Sequence, residues 1–315
     1  NTILVKLLIF INMKIQKIKM KCLVTGGAGF IGSNLALFLE KQEHEVVVAD
    51  NFSSGHKDNL KEFKGKVLKV DVSEPFEFDT DFDVIFHQAA IADPRYEIDE
   101  EMLKQNVFGF KKILNLAKKC SAKFIYASTA GLYGNTPAPQ KEYQEKELLS
   151  AYGQSKLIMD EMASHFFSKM HIVGLRYFNV YGLNEEHKGR PASMVYHLTK
   201  QMLSGKNPRI FKMGEQKRDH IYIRDCITAN VKALDAPSGI YNIGTGVGTS
   251  FNELVKMLNK ALGTDLSPEY FEMPYDKKSY QRSTQADTEK AEKVLKFKAK
   301  YSLFEGTKEY LGMLK

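Results

Sequence analysis

The amino-acid sequence predicts an α/β fold in which helices cover both faces of a doubly wound parallel sheet, together with a second, smaller part. Short β-branched segments alternate with segments of helical periodicity, which is the order of elements that a parallel sheet requires. The runs Cys22–Val24 and Val46–Val48 are continuously apolar, as is typical of strands with both faces buried. After about Asn179, glycine and proline interrupt shorter elements, which indicates a cap that shapes a pocket.

Six strands are predicted in the first half, each as an apolar or β-branched run. They are Lys21–Thr25, Glu45–Asp50, Val67–Asp71, Val84–His87, Lys123–Ser128 and Ile172–Tyr177. A helix follows the fourth strand, because apolar side chains recur there at helical spacing, at Leu103, Val107, Phe110, Leu114 and Ala117. In the second half, Arg224–Leu234 is predicted to be a helix that returns to the sheet. Ser250–Leu262 is predicted to be a helix capped by Ser250, with Glu253 as its capping-box partner.

Composition and charge are those of an ordinary globular protein. The 315 residues are 43% hydrophobic and 26% charged, which excludes collagen-like, disordered and disulfide-rich classes. A net charge of +7 and a pI near 9.0 would suit nucleic acid or an anionic membrane. Four of the lysines, however, lie in residues 1–19, which contain no acid, and the remaining chain carries only +3. We therefore expect neither a nucleic-acid nor a membrane partner.

Residues 1–19 form an apolar and basic extension in front of Met20. The run Ile3–Ile11 is too short to span a bilayer, and no small-x-small cleavage site follows it. A signal peptide or a surface anchor is the alternative. We expect an extension that is disordered or not native, ahead of a true start at Met20.

The chain has three cysteines, Cys22, Cys120 and Cys226, none of which forms a CxxC pair. An odd number argues against a disulfide framework, and no two histidines have the spacing of metal ligands. We therefore expect buried free thiols, no bound metal and a cytoplasmic location.

The segment TGGAGFIG, residues 25–32, lies between the first predicted strand and a helix. Gly26 permits a tight turn, Gly29 lets a pyrophosphate approach the backbone, and Gly32 allows the helix to pack closely on the strand. Phe30 and Ile31 open the helix, whose N-terminal N–H groups point at the phosphates. The segment therefore predicts a Rossmann-type dinucleotide-binding domain.

The identity of the dinucleotide depends on the end of the second strand. Asp50 follows Gly32 by 18 residues, where a carboxylate accepts hydrogen bonds from ribose hydroxyls and favours NAD. Lys57 is close enough in sequence to neutralise the 2′-phosphate of NADP. A solvated loop lysine is an equally good interpretation. Asp71 and Val72 are expected to contact the adenine, and Asn106 to pin the backbone of the site. The complete set of expected contacts after the strands is Asp50, Asn51, Lys57, Asp71, Val72, Gln88, Ala89, Ala90 and Asn106.

Tyr152 and Lys156 lie four residues apart in the pattern YGQSK, so a helix places the phenol and the ammonium on one face. The neighbouring cation and the nicotinamide charge favour the phenolate, which makes Tyr152 a base. Taken alone, the pair would be read as an amphipathic helix surface. Thr129 ends a strand about 20 residues earlier, where its hydroxyl can hydrogen-bond a substrate oxygen. We predict that Thr129, Tyr152 and Lys156 are catalytic, and that Tyr152 and Lys156 also contact the cofactor.

Five segments occur in order along the chain, namely TGGAGFIG, ASTAGLYG, YGQSK, LRYFNVYG and RDHIYIRD. Together they resemble the extended short-chain dehydrogenase/reductases of the nucleotide-sugar epimerase and dehydratase group, over essentially all of residues 20–312. The resemblance implies a Rossmann domain and a smaller, discontinuous sugar-nucleotide-binding domain. After the extension 1–19, the Rossmann domain is expected at 20–178 with 221–245, and the substrate domain at 179–220 with 246–315.

The dehydratases of this group carry an Asp-Glu pair directly after the threonine, where this chain has Ala130 and Gly131. Dehydration is therefore disfavoured. The second half is similar to the ADP-L-glycero-D-manno-heptose 6-epimerase family, through residues 177–189, 192–193, 211, 217–219 and 280–287. By that resemblance Lys188 is a second catalytic base and Val180 contacts the cofactor. The substrate contacts it implies are Asn179, His197, Phe211, Arg218 and Tyr280.

The chain also departs from that family. Arg190 and Pro191 replace small residues, and Lys212 and Met213 lie where a Glu-Gly pair is common. These positions are expected on the sugar or diphosphate side, so the exact sugar and nucleotide stay open. The resemblance further implies tightly bound NADP or NAD, with NADP slightly favoured, and a homo-oligomer, either a pentamer or a dimer.

The expected function is NAD(P)-dependent epimerisation of a nucleotide sugar through a keto intermediate, in the synthesis of a heptose precursor for surface polysaccharide. Two bases on opposite faces suit a ketone that reorients between oxidation and reduction. One alternative is a UDP-hexose 4-epimerase, which would not require Lys188. An alternative of another class is a non-catalytic dinucleotide sensor, against which the intact Thr129, Tyr152 and Lys156 argue.

Overall fold

The structure is a computed structural model that describes residues 19–78, 81–274 and 280–314. The predicted extension, residues 1–19, lies outside the described residues apart from Lys19. Within the described ranges, no helix combines the length and the apolar character needed to cross a membrane.

In chain order the strands are β1 (Lys21–Thr25), β2 (Glu45–Asp50), β3 (Lys66–Lys69), β4 (Val84–His87), β5 (Lys123–Thr129), β6 (Ile172–Tyr177), β7 (Asn179–Tyr181), β8 (Arg209–Phe211), β9 (Lys217–Tyr222), β10 (Gly239–Ile243), β11 (Gly248–Ser250) and β12 (Glu269–Phe271). The α-helices are α1 (Phe30–Lys41), α2 (Asp99–Leu103), α3 (Gly109–Cys120), α4 (Ala151–Ser164), α5 (Met194–Leu203), α6 (Ile223–Lys232), α7 (Phe251–Leu262), α8 (Glu289–Lys293) and α9 (Leu303–Met313). A π-helical turn, Lys104–Phe108, joins α2 to α3.

Seven parallel strands form the central sheet, in the order β3-β2-β1-β4-β5-β6-β10. At the end of β1, Thr25 lies between Ala49 of β2 and His87 of β4. The winding reverses between β1 and β4, so the carboxyl ends of these strands open a crevice at the switch point. The doubly wound fold predicted from the sequence is confirmed.

The predicted strands match the observed ones closely, with one difference of note at β3. The prediction placed it at Val67–Asp71, whereas the strand ends at Lys69. The reason is local, because the Asp71 carboxylate accepts hydrogen bonds from both the amide and the hydroxyl of Ser73 and turns the chain away from the sheet.

The helix predicted after the fourth strand is divided into α2, the π-helical turn and α3. The π-helical turn holds Asn106, a fully buried residue whose amide bonds the Ile91 backbone and the Ser155 hydroxyl. In the second half, α6 packs against α1 and β6, and α7 carries the complete capping box of Ser250 and Glu253. Both helices agree with the prediction.

The smaller sheets come from the second half of the chain. Strands β7 and β11 flank β9, and β8 pairs with β12. The buried carboxylate of Asp219 on β9 accepts hydrogen bonds from Thr245, Gly246 and Ala286. It thereby ties β9 to the loop after β10 and to the C-terminal segment. The two-domain division stays a prediction.

The three cysteines are free, as the spacing predicts. Cys22 and Cys226 are buried, but Cys120 is only half-buried. It is the last residue of α3, where the helix reaches the surface.

We expect Gly32→Ala to destabilise the protein, because a β-carbon at this position would lie 2.1 Å from the Gly26 carbonyl oxygen. Displacement of α1 should lower the free energy of unfolding by about 1–3 kcal/mol. Urea denaturation measures the effect. Gly312→Ala is the matched control, since a β-carbon there meets no atom within 4 Å and should stabilise α9 slightly. Equal stabilities of the two variants would contradict the close contact.

Candidate active site

The glycine-rich segment forms a cradle that only glycine fits. Gly26 has a φ of +65°, and a β-carbon there would lie 2.5 Å from the Ala89 amide nitrogen. Gly29 precedes α1 and contributes no side-chain cap, and the first turn of α1, which begins with Phe30 and Ile31, contains no acid. The helix N-terminus therefore keeps its partial positive charge, which suits the pyrophosphate of a dinucleotide.

Asp50 closes this cradle from the side of β2. Its carboxylate is buried and accepts hydrogen bonds from the amides of Ala28 at 2.9 Å and Phe52 at 2.7 Å. Burial raises the pKa of Asp50, and the two amide hydrogen bonds oppose that rise. Lys57 is exposed, with its Nζ 5.9 Å from the centroid of the Phe52 ring. The expected contacts of Asp50 and Lys57 with the ribose and its 2′-phosphate stay predictions.

Asp71 organises the expected adenine side of the crevice. Burial opposes ionisation of Asp71, but hydrogen bonds from Ser73, Asn51 and Gln105 outweigh it and lower the pKa to about 2. The neighbouring Val72 is buried in an apolar cluster that includes Val47, Ala49 and Phe110. Asn51 and Asp71, two predicted cofactor contacts, are thus joined directly, by a hydrogen bond of 3.0 Å.

Gln88 lies at the switch point with one unsatisfied polar atom. Its Nε2 donates to Asn230 at 3.2 Å and to the Tyr177 hydroxyl at 3.5 Å. Among the described residues its buried Oε1 has no hydrogen-bond partner. An orphaned acceptor beside small Ala89 and Ala90 fits a site for a polar ligand.

The predicted catalytic side chains converge where α4 meets the end of β5. The Lys156 Nζ donates to the Ala127 carbonyl at 3.0 Å and lies 5.9 Å from the centroid of the Tyr152 ring. Tyr152 hydrogen-bonds the side chain of Thr129, whose Oγ1 also accepts the Gly131 amide at 3.0 Å. The structure therefore brings Thr129, Tyr152 and Lys156 together.

Burial dominates the ionisation of this group. It raises the pKa of Tyr152, while the hydrogen bond with Thr129 lowers it. Burial also lowers the pKa of Lys156 to about 8, against the attraction of Asp160. The sequence predicts that the neighbouring cation favours the phenolate. In the protein alone, burial is the largest cause and only the Thr129 hydrogen bond opposes it, so the pKa of Tyr152 lies above its usual value and the phenol is protonated at neutral pH.

Asp160 lies one further turn along the face of α4 that carries Tyr152 and Lys156. Its buried carboxylate forms an ion pair with Arg176 Nε at 2.9 Å and accepts hydrogen bonds from Ser128 and Tyr126. The sequence analysis missed this residue. Its spacing of four from Lys156 was the available signal, because it places an acid on the same helical face.

Lys188 approaches from the second half of the chain. It ends the short 3₁₀ turn Glu186–Lys188, and its Nζ lies 5.4 Å from the centroid of the Phe30 ring, at the start of α1. Burial lowers the pKa of Lys188, while Glu185 and Asp93 raise it. An amine beside the glycine-rich segment can accept and return a proton, and the lowered pKa favours release of that proton.

Three of the predicted substrate contacts form one cluster. The rings of Phe211 and Tyr280 have centroids 5.6 Å apart, and the Arg218 guanidinium carbon lies 5.1 Å from the Tyr280 centroid. Arg218 is buried and donates to the carbonyls of Lys217, Gln281 and Arg282. Aromatic faces beside a fixed guanidinium suit a nucleotide.

The other two substrate candidates lie in different surroundings. Asn179 starts β7 opposite His220 of β9, and its Oδ1 accepts a hydrogen bond from Thr284. Val180 follows it, half-buried against the main core. His197 lies on α5, where its Nε2 is 3.3 Å from the Arg190 carbonyl oxygen.

Within the described residues, no group of three or more histidine, cysteine, aspartate or glutamate side chains has an arrangement that could hold a metal ion.

A glycine cradle at the switch point, a Tyr-Lys pair on the adjacent helix and a separate aromatic cluster define an α/β enzyme that uses a nicotinamide dinucleotide on a nucleotide-like substrate. Residues 22–244 match the NAD dependent epimerase/dehydratase family. The chain belongs to this family and is an NAD-dependent epimerase-type enzyme.

Individual relatives are similar over nearly the whole chain. The ADP-L-glycero-D-manno-heptose-6-epimerase of Brachyspira hyodysenteriae is 36% identical over 309 residues, covering 93% of this chain and 97% of the relative. The crystal structure of the Helicobacter pylori ADP-L-glycero-D-manno-heptose-6-epimerase is 40% identical, with a TM-score of 0.89 and coverage of 94% and 96%. The UDP-glucose 4-epimerase of Thermotoga maritima, solved with UDP-glucose, is 32% identical, with a TM-score of 0.83 and coverage of 94% and 100%.

We expect Lys156→Met to stabilise the dinucleotide-free protein at pH 7 and to lose that advantage at high pH. The pKa of Lys156 falls from its usual 10.5 to about 8 in the folded chain, so below pH 8 the folded state carries a buried charge. That charge costs up to about 3 kcal/mol, and the cost disappears between pH 8 and 10.5, where folded Lys156 is neutral and unfolded Lys156 is not.

Urea denaturation of wild type and variant between pH 7 and 10.5 measures this difference. Lys298→Met serves as the control, since Lys298 is exposed and should give no pH-dependent difference. A constant gap between Lys156→Met and wild type across the range would refute the lowered pKa.

Proposed function

We propose that the protein is an ADP-L-glycero-D-manno-heptose 6-epimerase that inverts C6 through a keto intermediate. The observation that carries the proposal is the second ionisable base. Lys188 lies over Phe30 at the start of α1, on a different element from Tyr152. Similarity to two heptose epimerases, at 36% and 40% identity, supports the choice of sugar.

Tyr152 serves the first face of the substrate. Its hydroxyl hydrogen-bonds Thr129, and both hydroxyls together would hold the oxygen on C6 while Tyr152 takes the proton. Since burial raises the pKa of Tyr152, the phenolate needs positive charge nearby. Lys156, one helical turn away, supplies one such charge.

A bound nicotinamide dinucleotide would supply reversible hydride transfer at C6, so that the reaction has no net redox change. Gly26 and Gly29 would admit its pyrophosphate, Gly32 would let α1 pack close to it, and Gln88 Oε1 would accept a hydrogen bond from a donor group of the dinucleotide. The residues of the site would serve NAD and NADP alike, since Asp50 favours NAD and Lys57 favours NADP.

Lys188 serves the second face. After the keto sugar has reoriented, the oxygen on C6 needs a proton from the opposite side. Burial lowers the pKa of Lys188 from its usual value, which makes its ammonium a better donor of that proton, and the amine would regain a proton afterwards. Tyr152 and Lys188 would thus act as the proton-transfer groups on opposite faces of the same carbon, C6.

The nucleotide would lie in the cluster of Phe211, Arg218 and Tyr280, with Asn179 and His197 as further substrate contacts. These residues come from the segments 179–220 and 246–315, which we propose as the substrate domain. The segments 20–178 and 221–245 would form the Rossmann domain. We also propose a cytoplasmic homo-oligomer, a pentamer or a dimer.

The test is incubation of the purified protein with ADP-D-glycero-D-manno-heptose and observation of C6 inversion by NMR. Epimerisation without added oxidant or reductant is the expected result. Inversion of C4 in UDP-glucose, with no reaction of the heptose, would instead favour the UDP-hexose 4-epimerase that the Thermotoga maritima structure represents. Dinucleotide binding without turnover of either substrate would favour the sensor.

We expect Lys188→Met and Tyr152→Phe each to lower kcat by about 10²- to 10⁴-fold, because each removes one proton-transfer group. NMR progress curves measure the loss. Lys298→Met is the control for removal of a lysine, and it should retain wild-type kcat because Lys298 is exposed. If Lys188→Met retains full activity while Tyr152→Phe does not, a single base suffices and the heptose mechanism is wrong.

A further inference from the structure

Lys188 is carried by a loop, residues 182–193, which we call the Lys188 loop. The loop is closed on itself by the buried carboxylate of Glu185. This carboxylate accepts hydrogen bonds from the Gly182 amide at 2.9 Å and from the amide and hydroxyl of Ser193 at 2.7 and 3.1 Å. Because both ends of the loop meet one side chain, the loop can keep its fold when a single outer contact is removed.

The first half of the Lys188 loop rests on α1. Asn34 donates to the Leu183 carbonyl at 2.8 Å, and Asn184 donates to the Ser33 hydroxyl at 3.1 Å. These contacts fix the loop beside the helix that begins the dinucleotide site. They end at Asn184, however, and Lys188 lies four residues further along the chain.

A third contact reaches the residue directly before Lys188. The Nδ2 of Asn59 lies 2.9 Å from the Ala28 carbonyl oxygen and 2.9 Å from His187 Nδ1. Since Nδ2 can only donate, His187 accepts through Nδ1, and its ring also hydrogen-bonds the Asn184 backbone. One amide therefore touches both the glycine-rich segment and the Lys188 loop.

The segment that carries Asn59 is itself packed on the glycine-rich segment. The His56 amide donates to the Ala28 carbonyl at 3.0 Å, and a β-carbon on Gly55 would lie 2.9 Å from Ala28 and from the Asp50 carboxylate. Asn59 thus belongs to the part of the chain that closes around Asp50. Its side chain also contacts His187 of the Lys188 loop, in the second half of the chain.

We propose that the Asn59–His187 hydrogen bond is a positioning link that sets Lys188 relative to the dinucleotide site. Asn59 and His187 are positioning residues, since they act through Lys188. The inference rests on the proposed function for its effect on turnover. Its effect on the placement of Lys188 does not depend on the substrate.

The physical reason is that the lysine side chain is flexible, so its amine is positioned by the backbone that carries it. A lysine amine on four methylenes is placed only as well as its backbone and packing allow, and a misplacement of about 1 Å can cost about 10²-fold in rate. On its other side the loop is held by the ion pair of Arg190 and Asp93, at 2.9 Å. Removal of the link would leave that pair and the Glu185 closure, so we expect a folded protein with a freer Lys188.

Four variants test the link. Asn59→Ala removes the donor and His187→Leu removes the acceptor. His187→Asn is the conservative rescue, because an asparagine Oδ1 can occupy the position of His187 Nδ1 and accept the same hydrogen bond. His56→Ala is the matched control, since its exposed side chain lies on the same segment and pairs with Asp58.

The first readout needs no turnover. The protein is treated with an amine-acetylating reagent at pH 7, with and without saturating dinucleotide, and acetylation of Lys188 is followed by mass spectrometry against exposed Lys298. We expect Asn59→Ala and His187→Leu to raise the acetylation rate of Lys188 several-fold. His187→Asn and His56→Ala should match wild type.

The second readout is the steady-state rate with the nucleotide sugar. We expect Asn59→Ala and His187→Leu to lower kcat about 10-fold, with KM for the sugar nucleotide within about 2-fold of wild type. Unchanged Lys188 acetylation in both variants would overturn the link. Raised acetylation with unchanged kcat would uphold the link and count instead against Lys188 as the second base.

Discussion

The predicted catalytic half of the site depends on one constraint, the register of α4 along the end of β5. Tyr152, Lys156 and Asp160 follow each other at one-turn intervals on a single face of the helix. In the same order they meet the Thr129 side chain, the Ala127 carbonyl and the hydroxyls of Ser128 and Tyr126. A slip of α4 by one turn, about 5.4 Å, would break all of these contacts at once. The position of the phenol is thus set by this row of contacts together rather than by any one of them.

Burial determines the ionisation of the side chains in this row. Lys156 and the pair of Asp160 and Arg176 are almost completely enclosed, at 2%, 2% and 3% exposure. A buried ion pair is poor evidence for added stability, but it disfavours any arrangement that leaves one charge unpaired. The same enclosure lowers the pKa of Lys156 and raises that of Tyr152. Because burial keeps the Tyr152 phenol neutral in the protein alone, its ionisation would depend on the charge that arrives with bound ligands.

The two halves of the site differ in how far the sequence could predict them. The glycine-rich segment, the strands of the central sheet and the Tyr152–Lys156 pair are local patterns, so spacing alone located them. The position of Asp160 was equally local, because it lies one helical turn beyond the pattern YGQSK, although that pattern does not include it. The contact of Asn59 with His187 joins positions 128 residues apart and has no local signature. The division of the chain into domains and the roles of the site residues remain predictions.

By itself the sequence determined the doubly wound fold, the position of the dinucleotide cradle and the helical face that carries the phenol and the amine. Each of these follows from backbone geometry repeated over a few residues, such as helical periodicity or the turn that only glycine permits. Only the tertiary structure decided that Lys188 meets Phe30, that the glycine-rich segment and Phe52 both enclose Asp50, and that burial raises the pKa of Tyr152. These properties depend on which distant segments exclude water from a side chain, and no local pattern encodes that.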